Sequence, residues 1–213
     1  MFGRVERGHS SGQGPVLLLV RRDTRQARWW IGWLGRRLAR REARALRHLE
    51  GVPGVPKLVL WERGVLLRSW VEGLPMQLSR PRDPAYFRRA QRLLRQLHRR
   101  RLSHNDLAKE PNWLVGPDGR PALVDFQLAR ISRRRGVWFR MLAREDLRHL
   151  LKHKRTYCPE RLTPRERSIL ASPSWPARLW MRSGKRVYLL VTRGLLGWSD
   201  REGAGDRGGP PGP

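Results

Sequence analysis

Cysteine, acid and long apolar runs are all scarce in this chain. One cysteine, Cys158, stands among 213 residues, so an intramolecular disulfide and a cysteine-built zinc cluster are excluded. That poverty suits a reducing compartment, and Cys158 itself reads as a small, partly buried residue. Acid is outnumbered: 18 Asp and Glu face 46 Lys and Arg, for a formal charge of +28. Most of the excess is arginine, spread along the chain rather than gathered in one tail. A field of that sign favours anionic partners, whether nucleotide, nucleic acid or membrane face, and does not choose among them. The N-terminal MFGRVERGHSSGQG has no apolar segment, so no signal peptide is expected. No run reaches the length of a membrane span; the nearest, residues 187–198, is short and broken by Arg193. A cytoplasmic protein is expected, with room for peripheral contact at the inner face of the membrane.

What is present suffices for one domain with a core, or for two small lobes sharing a cleft. Residues 16–20 (VLLLV) read as a buried strand. Across residues 29–49 apolar side chains recur at threes and fours, including Trp33, Leu34, Leu38, Ala45, Leu46 and Leu49, which predicts a helix. Gly51, Pro53, Gly54 and Pro56 end it. Two short strands follow at 58–62 and 65–70 around an Arg63-Gly64 turn. Asp83-Pro84 opens a helix over 85–100, with Phe87, Leu93, Leu94 and Leu97 on one face and arginines on the other. A Pro117-Asp118-Gly119 turn then joins strands at 113–115 and 122–126. Helices at 144–153 and 176–196 are separated by a proline-rich connection that contains Thr163-Pro164. The divisions expected are a flexible N-terminus (1–15), a small sheet-bearing part (16–75), a mainly helical part (76–198) and a disordered tail (199–213) too poor in apolar residues to order itself.

Three residues stand out for chemistry. A divalent cation with nucleotide phosphates takes hard oxygen ligands, typically a carboxylate or two and an amide carbonyl. The hairpin places Asn112 and Asp125 at the same end of neighbouring strands. Asp106, at the start of the preceding loop, is left to face whatever the ion holds, where an acid can accept or orient a hydroxyl proton. Each alone would read as a turn cap or a strand terminator; the three together, in this order and flanked by apolar strands, favour a site.

HNDLAKEPNWLV resembles the catalytic loop of the protein-kinase-like superfamily, with His104 and Asp106 in its His-x-Asp positions, and LVDFQ resembles the metal-binding Asp-Phe-Gly segment. The resemblance implies an α+β, two-lobe fold with a reduced N-terminal sheet lobe and a mainly helical C-terminal lobe carrying the catalytic loop. It implies ATP and Mg2+ as cofactors, Asp106 as catalytic acid/base, and Asn112 and Asp125 as metal ligands. Lys109 would approach the transferred phosphate, although it reads equally as a solvated loop lysine. Glu42 sits where the family's ion-pairing glutamate does, or else pairs with arginines a turn away. LLRSWVEG resembles the strand-to-hinge passage and puts Trp70, Val71 and Glu72 near the adenine. Asp146 reads either as the helical aspartate that supports the catalytic loop or as an acid favoured by a helix N-terminus.

The pattern departs in three places. In LLLVRRD, Arg21 takes the position expected of the phosphate-binding lysine, with Arg22 as the other choice. No Gly-x-Gly-x-x-Gly is present, and the first strand looks shortened or missing. Asn112 falls one position later than in common protein kinases, and Gln127 replaces the glycine. These features resemble the compact bacterial RIO-like and lipopolysaccharide-core kinase groups, over about residues 16–155. The expected activity is transfer of the γ-phosphate of ATP to a hydroxyl, first a protein Ser/Thr. The alternatives are a lipopolysaccharide-core sugar (Kdo or heptose type) and a non-catalytic, nucleotide-binding pseudokinase. The basic surface and the last helix leave room for peripheral contact with an anionic membrane, although packing of that helix on the second lobe is the favoured reading. Expected partners are otherwise the nucleotide and a protein or lipopolysaccharide-core acceptor. Nucleic acid is not among them: Trp and Arg interleave at 28–41, but charge alone would carry that reading.

Overall fold

A computed structural model describes residues 4–9, 18–24 and 29–172. The chain opens with a four-stranded antiparallel sheet in the order β1-β2-β4-β3, made of β1 (Arg4–His9), β2 (Leu18–Asp23), β3 (Leu58–Glu62) and β4 (Val65–Ser69). Residues 4–9, expected to be flexible, instead pair along β2 from Arg4↔Asp23 to His9↔Leu18, so the first strand is present. The β3–β4 hairpin closes through Arg63 and Gly64, both at positive φ (46° and 84°). Positive φ at both central residues matches the twist of the flanking strands in a two-residue turn. Thr24 pins this turn, its backbone N–H and its hydroxyl both donating to Gly64 O at 3.1 and 2.7 Å.

Helix α1 (Trp29–His48) packs against β3 and β4. The chain leaves it through Gly51 (φ 79°) and Gly54 (φ 80°). Gly54 is required for a second reason: a Cβ there would lie 2.7 Å from Pro121 O. That close approach lets Leu123 N–H donate to Gly54 O at 2.8 Å, stitching the end of α1 to the later hairpin.

After β5 (Leu74–Pro75) and the single turn α2 (Met76–Ser79), α3 (Pro84–Arg99) buries Tyr86, Phe87, Ala90, Leu93, Leu94 and Leu97 at helical spacing. Asp83 caps it, accepting from Ala85 N–H at 2.7 Å, with Pro84 in the first turn. The strand pair β6 (Leu102–Ser103) and β9 (Arg130–Ile131) flanks the loop of interest. Between them lies the hairpin β7 (Trp113–Val115) and β8 (Pro121–Leu123), with β5 as its third strand. Residues 74–75 therefore pair with the helical part rather than with the first sheet.

Helix α4 runs Val137–Tyr157, longer at both ends than the predicted 144–153, and is bounded by Gly136 and by Cys158-Pro159. The predicted connection around Thr163 contains a further helix, α5 (Pro164–Ala171), begun by a capping box between Thr163 and Glu166. Lys154 holds α5 to α4 through Glu166 at 2.7 Å. One core joins the ends of the two parts: Leu46 and Leu49 of α1, the buried face of α3, Trp113, Phe126 and Leu150. Among the described residues no helix is long and apolar enough to cross a membrane. The helix expected at 176–196 and the tail lie outside the described residues.

Candidate active site

The loop from Ser103 to Asn112 is held from below by α4. Asp146, buried mid-helix, accepts from the backbone N–H of His104 (2.8 Å, Oδ2) and of Asn105 (2.9 Å, Oδ1). His98 of α3 donates to the same Oδ2 at 3.2 Å. Two further residues of α4 reach the loop: His153 Nε2 donates to Leu107 O at 2.8 Å, and the Tyr157 hydroxyl donates to Glu110 at 2.6 Å. Asp146 is thus the support of the loop, and it stands too far inside α4 to be an N-terminal acid.

His104 is wholly buried. Its Nε2–H donates to Val124 O at 3.1 Å, and its ring lies 4.6 Å from that of Phe126, centroid to centroid. Burial pushes its pKa below the usual imidazole value, against the pull of Asp146. A buried neutral ring reaches no substrate, so the catalytic role expected of His104 is corrected to positioning: it locks the loop to the segment that carries Asp125.

That segment continues the hairpin. Trp113 pairs with Leu123 and Val124 N–H donates to Asn112 O at 3.1 Å, which brings Asn112 and Asp125 to the same end. Asp125 leaves the strand at φ 63°, ψ 67°, a left-handed conformation that short polar side chains tolerate. Gln127, where a glycine was expected, donates its amide to Asp125 Oδ1 at 2.6 Å. Asn112 Nδ2 donates to Asp106 O (2.8 Å) and Oδ2 (3.1 Å), and Lys109 Nζ lies 3.2 Å from the same Oδ2. Both side-chain partners engage Oδ2 of Asp106.

Glu42 enters from α1 and is 2% exposed. The surface pairing with arginines a turn away does not occur. Glu42 Oε2 takes Arg22 of β2 and Oε1 takes Arg68 of β4, each at 3.2 Å. Burial raises its pKa, the two guanidiniums, Arg68 foremost, pull it back, and the nearby Asp125 charge adds to the rise. Arg21, expected at the phosphate-binding lysine position and so as the partner of Glu42, is corrected: strand side chains alternate faces, and Arg21 shares a face with Asp23, which it meets at 2.9 Å. Arg22 shares the face of buried Val20, and Arg68 is the register partner of Val20 across the sheet. Arg68 was not anticipated, although its two-residue spacing from buried Leu66 marks the face.

Trp70, Val71 and Glu72 form the passage from β4 to β5, with Trp70 N–H donating to Leu18 O at 2.8 Å. Trp70 and Glu72 are exposed. Arg41 of α1 donates to Leu128 O and Ala129 O (3.1 and 3.3 Å), tying the helix that carries Glu42 to the chain just past Asp125.

Among the described residues no three His, Cys, Asp or Glu side chains converge as a protein-only metal cage. Magnesium does not need one. It is commonly bound by one or two carboxylates together with substrate phosphates, and the donor set here, a carboxylate from Asp125 and an amide oxygen from Asn112, is hard and oxygen-only. No curated protein matches the chain. A model of the RIO domain matches residues 22–166, about two thirds of its length. The chain therefore belongs to the RIO domain family, a group of atypical kinases within the protein-kinase-like superfamily.

Proposed function

We propose that the protein transfers the γ-phosphate of ATP, with magnesium, to a hydroxyl, and that the acceptor is a protein serine or threonine. The observation that supports this most is the double use of Asn112. Its Nδ2 orients Asp106, while its Oδ1, which accepts from no described residue, stands at the hairpin end that Asp125 shares. Bound magnesium would draw the phosphate oxygens together and take up the charge that develops on transfer.

The remaining work belongs to the chain. Asp106 accepts a hydrogen bond from the acceptor hydroxyl, aligns its oxygen and receives the proton. Lys109, 63% exposed at its side chain, can turn from Asp106 to the transferred phosphate. Arg22 and Arg68, fixed by Glu42, present guanidinium groups to the nucleotide phosphates, as planar forks rather than as the single ammonium of a lysine. Trp70, Val71 and Glu72 border the adenine, mainly through backbone groups. Catalysis in this reading is positioning and charge neutralisation.

The test is transfer of labelled phosphate from ATP–Mg2+ to serine/threonine peptides, to lipopolysaccharide-core oligosaccharide, and to no acceptor. Asp106→Asn and Asp125→Asn serve as controls. Label on peptide, lost in both variants, is expected. Label on the sugar alone moves the acceptor class. Nucleotide binding without turnover on any acceptor makes the protein a pseudokinase.

A further inference from the structure

The side of α1 turned away from Glu42 is lined with arginine. Together with Arg130 of β9, Arg36, Arg37, Arg40 and Arg44 border a cleft of about 1010 Å3 between α1, β3 and the chain after Asp125. All five are exposed, and none takes part in an ion pair among the described residues. Among the described residues no carboxylate lines the cleft, while Trp33, 57% exposed, and the half-buried Trp61 do. Exposed guanidiniums with no carboxylate among the described lining residues give the cleft a positive potential, which attracts anions.

We propose that this cleft is a docking site for single-stranded nucleic acid. Arg36, Arg40 and Arg44 recur one turn apart and span about 12 Å along the helix, which calls for several anionic groups in a line. One phosphorylated side chain would engage only part of that row. The cleft is open to solvent, so an extended strand has access to it. An exposed aromatic ring set among guanidiniums, here Trp33, is the chemistry of single-strand recognition, the ring stacking on a base while the cations follow the backbone. The site is separate from the catalytic loop, and its occupancy does not depend on phosphotransfer.

The test uses the full-length protein and a fluorescent 12-mer of oligouridine, read by anisotropy from 50 to 300 mM salt. The triple variant Arg36→Glu/Arg40→Glu/Arg44→Glu is compared with Arg88→Glu/Arg92→Glu/Arg99→Glu, which makes the same charge change on the exposed face of α3. Expected is a loss of at least about tenfold in the cleft variant and a salt slope shallower by about 2, from three lost phosphate contacts on a single strand. The α3 variant should keep the slope. Trp33→Ala should weaken binding about tenfold with the slope unchanged, since one stacking contact is removed. Equal losses in the two triple variants would make the attraction one of general charge and overturn the proposal. So would a Trp33→Ala protein that binds like wild type, or no binding at 100 mM salt. Competing arms with phosphatidylglycerol vesicles and a phosphoserine peptide complete the test, and cleft-dependent binding of either in place of the oligonucleotide also overturns it. Near-ultraviolet circular dichroism confirms that each variant is folded.

Discussion

Replacing Asp146 by asparagine changes one atom of consequence and should disable the catalytic loop. The carboxylate uses both oxygens, one on His104 N–H and the other on Asn105 N–H, while His98 shares the first. Asparagine offers a single acceptor oxygen, so whichever way its amide turns, one backbone N–H meets an NH2 group. An unsatisfied buried donor costs about 1–3 kcal/mol, and each surviving bond loses roughly 1 kcal/mol of charge assistance. The sum is about 3 kcal/mol. For a chain of this size that lowers Tm by roughly 6–12 °C. Asp106 sits two residues from His104, and a displacement of about 1 Å at a reacting group costs on the order of 100-fold in rate. Scanning calorimetry gives the first quantity and labelled-phosphate transfer the second. An Asp146→Asn protein that melts within about 2 °C of wild type, with turnover unchanged, would refute the assignment of this carboxylate as the loop's support.

Four other outcomes are expected. Asp106→Asn should lower turnover by about 10²–10⁴ with nucleotide affinity kept, whereas Asp125→Asn, which preserves the left-handed backbone, should lose the magnesium dependence of nucleotide binding; calorimetric titration separates them. Arg22→Met and Arg68→Met should each raise KM for ATP while Arg21→Met stays near wild type, and the reverse pattern would return the nucleotide role to Arg21. Gly54→Ala meets both a positive φ and the Pro121 carbonyl, so its urea midpoint should fall by an amount equivalent to about 2–4 kcal/mol. Burial holds His104, His149 and His153 below their ordinary pKa of 6.5. The unfolded chain therefore binds protons first, and stability should decline as pH falls from about 6.5 toward the folded values; melting between pH 8 and 5 measures it, and His153→Gln should flatten the slope.

How much of this was legible in the sequence depends on phase. Helix α3 was, because its apolar residues fall at threes and fours with Asp83-Pro84 ahead of them. The β7–β8 hairpin was also legible, since Pro117-Asp118-Gly119 can only turn. The choice between Arg21 and Arg22 was not: LLLV is apolar on both faces, so nothing in it shows which alternate residues look toward α1. Only the pairing of Val20 with Arg68 settles the face. Strand β1 was hidden because RVERGH has little apolar content and owes its order to the ladder with β2. Helix α4 reaches back to Val137 through Trp138, both exposed, which blurs the amphipathic pattern and concealed that Asp146 is mid-helix. The stripe Asp146, His153 and Tyr157, at seven and then four residues, lies on one helix face and was a signal available but unread. Thr163 and Glu166 likewise spelled a capping box inside what read as a connection.

The arginines around Glu42 also bear on how the protein can be found. Only five of its 46 basic residues are lysines, and neither Arg22 nor Arg68 carries an amine. Nucleotide probes that acylate an ε-amino group would find Lys109 beside Asp106, and no amine paired with Glu42. A survey of cell extracts with such probes would then record a weak signal, or one assigned to the wrong segment. Dicarbonyl reagents, which condense with guanidinium groups, should instead modify Arg22 or Arg68 in a manner that ATP protects against, against a heavy background from the exposed arginines of α1.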